Sequence, residues 1–380
     1  MSTKTKKTFI ALSGGVDSSV AALLLKTHGH DIVGVFMRCY NIDGTGTEDE
    51  KDARRVAAHL NIPFYVFDLE KEYKERVVKY MIDGYKKGIT PNSDVMCNKE
   101  IKFGLFLEKA LEMGATKIAT GHYVQIKKPW RFNLQSWNSH HSHVSAEAPA
   151  KEDAFVDSHY TLAEGKDKSK DQSYFLWTLT QDQLQHCIFP IGKYKKSEVR
   201  EIARKANLPT ADKKDSQGIC FLGKFSLRDF LKEHIPVKRG KVIDTEGNII
   251  GTHDGVWFYT IGQRHGMSLR AKRSNLQGHY VVGKNITANT LTAAEGSDNS
   301  ALYKDKVTVS SANITKRSKK TLVRTRYHGP LVTATLKKLS PDTFHLELHK
   351  PQKAIALGQS AVFYTKRGEL IGGGVITNVS

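Results

Sequence analysis

Cysteine is scarce in this chain: four residues in 380, Cys39, Cys97, Cys187 and Cys220, with no C-x-x-C pair among them. That excludes a disulfide-stapled scaffold and removes the usual paired signature of structural zinc, so no metal-ligand set is expected. Long apolar runs are missing too. Nothing reaches the ~18 residues that a bilayer-spanning helix needs, so no membrane contact is expected. The first residues, Met1 to Lys7, are short and basic and lead straight into a strand-like segment. Neither an apolar export signal nor a long Arg-rich presequence is there, which points to a cytoplasmic protein. Acidic residues are outnumbered, 39 Asp+Glu against 58 Lys+Arg, for a formal net charge of +19. An enzyme of small metabolites seldom needs such an excess; a polyanionic partner, nucleic acid above all, accounts for it.

What is present begins with a strand-helix rhythm. Apolar, β-branched runs at Thr8 to Leu12, Asp31 to Met37, Pro63 to Leu69 and Lys117 to Ala119 read as strands. Helical patterns lie between and after them, at Val20 to Lys26, Glu48 to Leu60, Glu72 to Lys86, Lys99 to Met113, Asp171 to Gln185 and Lys196 to Ala206. The alternation predicts an α/β fold with a mostly parallel sheet covered on both faces, whose ligands bind at the carboxyl ends of the strands. After Asp215 the pattern changes. Phe225 to His234 reads as a short helix, and Lys306 to Thr377 alternates apolar and polar residues in strand-sized pieces, as a β-barrel or sandwich does. Boundaries near Ser216 and Thr290 give a catalytic domain over 1–216, a small central domain over 217–289 and a β-barrel over 290–380. The stretch from Lys127 to Ser158 breaks the rhythm and is poor in aliphatics. It holds His140, His141 and His143, but nothing rigid to position metal ligands, so it reads as an inserted surface loop.

The most informative segment is Ser13-Gly14-Gly15-Val16-Asp17-Ser18-Ser19, where the first strand turns into a helix. Gly14 and Gly15 permit positive φ and close backbone approach; the helix start aims N–H groups at an anion. No lysine follows the glycines, so this is not a Walker A loop, and a pyrophosphate cradle fits better than γ-phosphoryl transfer. Asp17 is placed to help hold magnesium on the phosphates. The loop is the signature of the PP-loop ATP pyrophosphatases, which this chain resembles.

The cysteines narrow the choice. Cys97 follows the turn-forming Thr90-Pro91-Asn92-Ser93-Asp94 at the expected start of a helix, where N–H groups, Lys99 and Lys102 favour the thiolate. Cys220 lies in the polar loop Asp215-Ser216-Gln217-Gly218-Ile219-Cys220-Phe221. Neither setting reads as core, whereas Cys187 reads as filler at an apolar helix end and Cys39 as structural. On these motifs the chain closely resembles the tRNA-specific 2-thiouridylases, in which P-N-P-D-x-x-C-N-x-x-I-K-F carries one catalytic cysteine and D-S-x-G-I-C-F the other. Ala119-Thr120-Gly121-His122-Tyr123, Lys170-Asp171-Gln172, Thr260-Ile261-Gly262-Gln263-Arg264 and Gly358-Gln359-Ser360 match as well. Ser93 stands where that family has a second proline, and the stretch around Lys127 to Ser158 is longer than the family needs.

The resemblance implies an ATP-dependent tRNA-uridine 2-sulfurtransferase. ATP, with Mg2+, would adenylate the 2-position oxygen of the wobble uridine; a Cys220 persulfide would deliver sulfur; Cys97 would complete the transfer, by attack on the persulfide or by assisting sulfide release. Ala11, Leu12, Ser13, Gly14, Gly15, Val16, Asp17, Ser18, Met37 and Gly121 would contact ATP. Asn92, Ser93 and Asp94 would meet the flipped base, and Lys170, Asp171, Gln172, Arg326 and Tyr327 would contact tRNA. The implied partners are the tRNAs for Lys, Glu and Gln and a persulfide-carrying donor protein. A PP-loop synthetase of small molecules would need neither Cys97, Cys220 nor the charge; a non-catalytic tRNA-binding protein would not need the intact loop.

Overall fold

The computed structural model describes residues 7–40, 46–128, 159–215, 226–270, 278–315 and 321–380. The first sheet holds five strands in the order β3-β2-β1-β4-β7, all pairs parallel: β1 Lys7–Ala11, β2 Asp31–Arg38, β3 Phe64–Asp68, β4 Lys117–Ala119 and β7 Cys187–Ile188. Helices cover both faces, which is why β2 is buried from Ile32 to Met37 without a polar break. The chain builds outward from β1 through β2 to β3, then returns to the other side of β1 for β4. The carboxyl ends of β1 and β4 are therefore the switch point at which such sheets hold ligands.

Helix α1, Val16–Thr27, follows β1, and α2, Gly46–His59, follows β2. A helix over 70–86 and another over 93–112 each contain a stretch of wider, π-type turns, Lys74–Val78 and Asn98–Leu105. The single helix expected over Asp171 to Gln185 is not formed. A 3-10 turn, Ser173–Leu176, and a short helix, Gln181–Leu184, replace it. Tertiary bonds override the helical pattern here: Tyr174 donates its hydroxyl to Ser360 O at 2.8 Å and Trp177 Nε1 donates to Ser360 Oγ at 3.0 Å, turning this segment toward the C-terminal domain. Cys187 likewise lies on a strand rather than a helix end.

Strands β5, Val124–Lys127, and β6, Thr161–Glu164, pair antiparallel, with Lys127 opposite Thr161. The two ends of the inserted stretch are thus neighbours in a hairpin; its interior, with His140, His141 and His143, lies outside the described residues. The central sheet has the order β10-β9-β8-β12-β11, built from β8 Gly240–Ile243, β9 Ile249–His253, β10 Ser268–Leu269, β11 His279–Asn285 and β12 Thr290–Glu295. Strand β12 begins at Thr290, the expected second boundary, and pairs within that sheet. The first, near Ser216, lies outside the described residues.

The tail closes into a six-stranded barrel in the order β13-β16-β15-β14-β17-β18. Its strands are β13 Tyr303–Ile314, β14 Thr321–Arg324, β15 Val332–Ser340, β16 Thr343–Lys353, β17 Ser360–Tyr364 and β18 Leu370–Val379. Closure removes the sheet edges that an open tail would expose. Among the described residues no helix is long and apolar enough to cross a membrane.

Candidate active site

The loop between β1 and α1 is held open by its own hydroxyls. Ser13 N–H donates to Ser18 Oγ at 3.1 Å, Ser18 Oγ donates to Gly15 O at 3.1 Å, and Ser19 Oγ donates to the same carbonyl at 2.8 Å. Only Gly14 takes a left-handed φ, +73°; Gly15 sits at −99° and is the N-cap of α1, without a side-chain cap. A Cβ on Gly14 would collide with the backbone of Asp49 in α2. Gly121, just past β4, closes the other side: a Cβ there would lie 2.8 Å from Ser18 N. Ala11, Leu12, Val16 and Ser18 are buried around this turn, and Met37 is buried near the end of β2. The structure thus gathers the expected nucleotide residues at the switch point, with uncapped helix N–H groups facing it.

The lysine missing from the loop arrives from elsewhere. Lys196, the first residue of the helix Lys196–Lys205, lies 2.7 and 2.8 Å from the two carboxylate oxygens of Asp17 and 2.9 Å from Asp215 Oδ1. Its side chain is only 13 % exposed. Tyr123 donates its hydroxyl to Asp17 Oδ1 at 2.7 Å; burial, then the Asp17 charge, drives that phenol far above its ordinary value. Asp215 also receives Arg200 at 2.6 Å and Lys170 at 3.0 Å. Burial alone would raise its carboxyl, but hydrogen bonds from Lys196 and Lys170 outweigh that and hold it well below the usual carboxylate range. Lys213 is tied to Asp49 at 2.7 Å and Asp52 at 2.6 Å on α2. The chain that leads to Cys220 is therefore anchored beside the nucleotide loop as far as Asp215; Cys220 itself lies outside the described residues.

Sequence reasoning gave Lys196 no role, and Tyr123 and Asp215 entered only as members of the motifs around Gly121 and Cys220. The one available signal was the lysine-free loop, which leaves an anion site in want of a cation. Lys196 is 179 residues from Asp17 and looks locally like any basic residue opening an amphipathic helix.

Cys97 departs from the expected setting. Asn92 is the N-cap, its Oδ1 accepting from Val95 N–H at 3.2 Å, so Cys97 is one full turn inside the helix. It is 0 % exposed and packed in the main apolar core with Val95 and Ile101. The helix buries the face that carries these residues, and the cysteine goes with it. Asn92 and Ser93 are buried as well, and Asp94 is half-buried. Asn98 donates Nδ2 to Asp94 O at 3.0 Å, while its Oδ1 is buried without a partner among the described residues. An orphaned acceptor next to a cysteine suits a polar ligand. By contrast Cys187 donates to Gln183 O at 3.1 Å, and burial pushes its thiol far up, as inert filler requires. Cys39 is core.

Lys170, Asp171 and Gln172 point three ways. Lys170 reaches Asp215, and Gln172 Oε1 accepts from Tyr123 N–H at 3.0 Å. Asp171, 1 % exposed, accepts from Gly165 N–H at 2.9 Å and Ser173 Oγ at 2.8 Å and faces Arg324 at 3.5 Å. Burial raises its carboxyl above the ordinary value. Arg324, at the end of β14, also meets Glu164 at 3.2 Å. Three residues on, Tyr327 lies with ring centroids 4.3 Å from Phe175. Burial, with the Asp171 and Asp94 carboxylates nearby, pushes its phenol up to about 12. Arg326 beside it is exposed. The barrel thus brings Tyr327 toward Asp94.

A parallel sheet with an anion-binding loop at its switch point, joined to two small β domains, defines a class, and comparison with known proteins agrees. Residues 6–224 match the model of a tRNA methyl transferase HUP domain, 228–295 a tRNA methyl transferase PRC-barrel domain, and 299–376 an aminomethyltransferase beta-barrel domain. The tRNA-specific 2-thiouridylase MnmA of Bacillus licheniformis is 40 % identical over 97 % of this chain and 94 % of its own. The protein of that name from Listeria monocytogenes is 40 % identical over the same shares, and one from Geobacillus kaustophilus is 41 % identical over 95 % and 93 %. The chain belongs to the tRNA-specific 2-thiouridylase family and is a tRNA sulfurtransferase enzyme.

Proposed function

We propose that this enzyme thiolates the 2-position of the wobble uridine of tRNA at the expense of ATP, with Cys220 and Cys97 as its sulfur-handling residues. The reading is carried above all by the Asp17–Lys196–Asp215 cluster, which ties the nucleotide loop to the chain leading to Cys220.

Lys196 supplies the cationic side chain that the loop lacks, and Ser13, Ser18 and the α1 N–H groups supply donors to the phosphates. Magnesium fits the protein side of this cluster poorly: both carboxylates, Asp17 and Asp215, are already bound by lysine or arginine. The ion expected with ATP would be held by phosphate oxygens rather than by Asp17, which acts by fixing Lys196. The uridine O2 attacks the α-phosphorus, the bond to the β-phosphate breaks and pyrophosphate leaves. The outer sulfur of a Cys220 persulfide, loaded by a donor protein, then bonds to C2. Cys97 attacks Cys220 Sγ, the bond to the transferred sulfur breaks, and its electrons expel AMP, leaving C=S. The resulting Cys97–Cys220 disulfide is reduced by an external thiol. A poor leaving group is thus exchanged for a good one before the nucleophile arrives.

Asn92, Ser93 and Asp94 would meet the flipped base, with Arg326 and Tyr327 on the RNA beside it; Asn98 Oδ1 is a further candidate acceptor. The substrates are expected to be the tRNAs for Lys, Glu and Gln in the cytoplasm. The test is mass analysis of wobble uridines in cells lacking the gene. Loss of 2-thiouridine, restored by the wild-type gene and not by its Asp17→Ala form, is expected; retained 2-thiouridine would end the proposal.

A further inference from the structure

Thr90 stands two residues before Asn92, at the root of the segment that carries Cys97, and both other domains grip it. Its N–H donates to Leu357 O at 2.8 Å, and its own carbonyl accepts from Gln359 Nε2 at 2.9 Å. Its hydroxyl lies 3.0 Å from the Thr260 hydroxyl of the central domain. Both main-chain polar groups of a catalytic-domain residue are therefore satisfied by the barrel, one by its backbone and one by the Gln359 side chain.

The barrel side of this clamp is stiff. Gly358 N–H donates to Ile376 O at 2.8 Å and Ile376 N–H donates to Gln359 O at 2.8 Å, which fixes the turn onto β18. Gly358 takes φ +86°, and a Cβ there would stand 3.0 Å from Thr90 O; only glycine lets the turn lie so close without strain. The catalytic side is stiff too. Pro91 packs on Gly84 so closely that a Cβ on the glycine would lie 2.7 Å from Pro91 Cγ, and Asn92 then caps the helix. Displacement of Thr90 thus passes through two restrained residues to the first turn of the Cys97 helix.

We propose that the barrel turn Leu357–Gln359 sets the position of the Cys97 segment, with Gln359 as a positioning residue acting through Thr90. The consequence for turnover rests on the function proposed above; the geometric claim does not. Gln359→Met keeps the side chain's length and deletes its donor. Expected is about fivefold faster iodoacetamide labelling of Cys97, read by peptide mass, the factor that follows from losing one net hydrogen bond. Labelling of Cys39 and Cys187 should stay at the parent rate. Gly358→Ala, which presses a methyl on Thr90 O, should act the same way, and Thr90→Ser, which keeps every bond, should not. In thiolation kcat should fall by a similar factor with KM for ATP unchanged. Folded Gln359→Met and Gly358→Ala proteins that label Cys97 at the parent rate would overturn the proposal. Accelerated labelling in a protein that thiolates no tRNA would uphold it and reject the proposed function instead.

Discussion

Asp17 and Lys196 show what single residues contribute here. A carboxylate next to a phosphate loop repels its ligand unless a cation sits on it, and Lys196 does. Asp17→Ala should therefore abolish tRNA adenylation while leaving tRNA affinity nearly unchanged, if tRNA is held mainly by the proposed Arg326 and Tyr327 surface of the barrel; filter binding and a pyrophosphate-release assay separate the two effects, and equal loss of both would contradict the assignment. Asp215 makes a pH prediction. Its folded carboxyl is held below the ordinary 3.8, so its contribution is fully present above 3.8 and is lost as pH falls through the lower folded value. Asp215→Asn should cost about 1–3 kcal/mol at pH 7, as loss of charge-assisted hydrogen bonds does. The gap to the parent should persist at pH 5 and narrow only below the ordinary carboxylate range, measured by urea titration. Much of this residue scale was legible in sequence. The Ser13–Ser19 loop announced itself locally, while Gly121 and Cys97 were singled out through the family motifs that contain them. Lys196 did not, because an ion pair across 179 residues leaves no local trace. Nor did the burial of Cys97, which depends on which helix face meets the core.

Elements were read best where local pattern and packing agree. β2 and the Lys196–Lys205 helix lie within a residue or so of where periodicity puts them. The 171–185 stretch failed because Asp171, Ser173, Tyr174 and Trp177 each bond to groups far along the chain. Those bonds make the stretch the main seam between catalytic domain and barrel. The hairpin β5–β6 yields a prediction at this scale. Its ends are paired at Lys127 and Thr161, so replacing 129–158 with a short Gly-Ser linker should leave the sheet closed and thiolation nearly unchanged. A folded deletion protein with a large loss of activity would give the segment a role.

At the scale of the molecule, the charge of +19 matters most. If tRNA contact sets affinity, log K should fall steeply and linearly with log salt. Arg326 is exposed at the barrel edge, so Arg326→Ala should flatten the slope by about one unit. Lys170 is engaged by Asp215, so Lys170→Ala should flatten it less. A salt-independent affinity would remove nucleic acid as the reason for the charge. The three-part organisation was visible in the sequence as a change of pattern after Asp215. The alternation after Lys306 also led to the expected barrel, and the tail closes into one; the way it reaches back to Thr90 and Asp171 was not legible, because alternation reports which face of a strand is buried and not which element lies beside it.

The measurement that bears most directly on the account is transfer of radiolabelled sulfur to tRNA by the four single Cys→Ser proteins. Cys39→Ser and Cys187→Ser should transfer at close to the parent rate and lose only about 1 kcal/mol of stability, as modest core changes do. Cys97→Ser should accept label on Cys220 and fail to pass it on. Cys220→Ser should take up no label and leave adenylated tRNA to accumulate. Thiolation of tRNA by Cys220→Ser at the parent rate would contradict the mechanism outright.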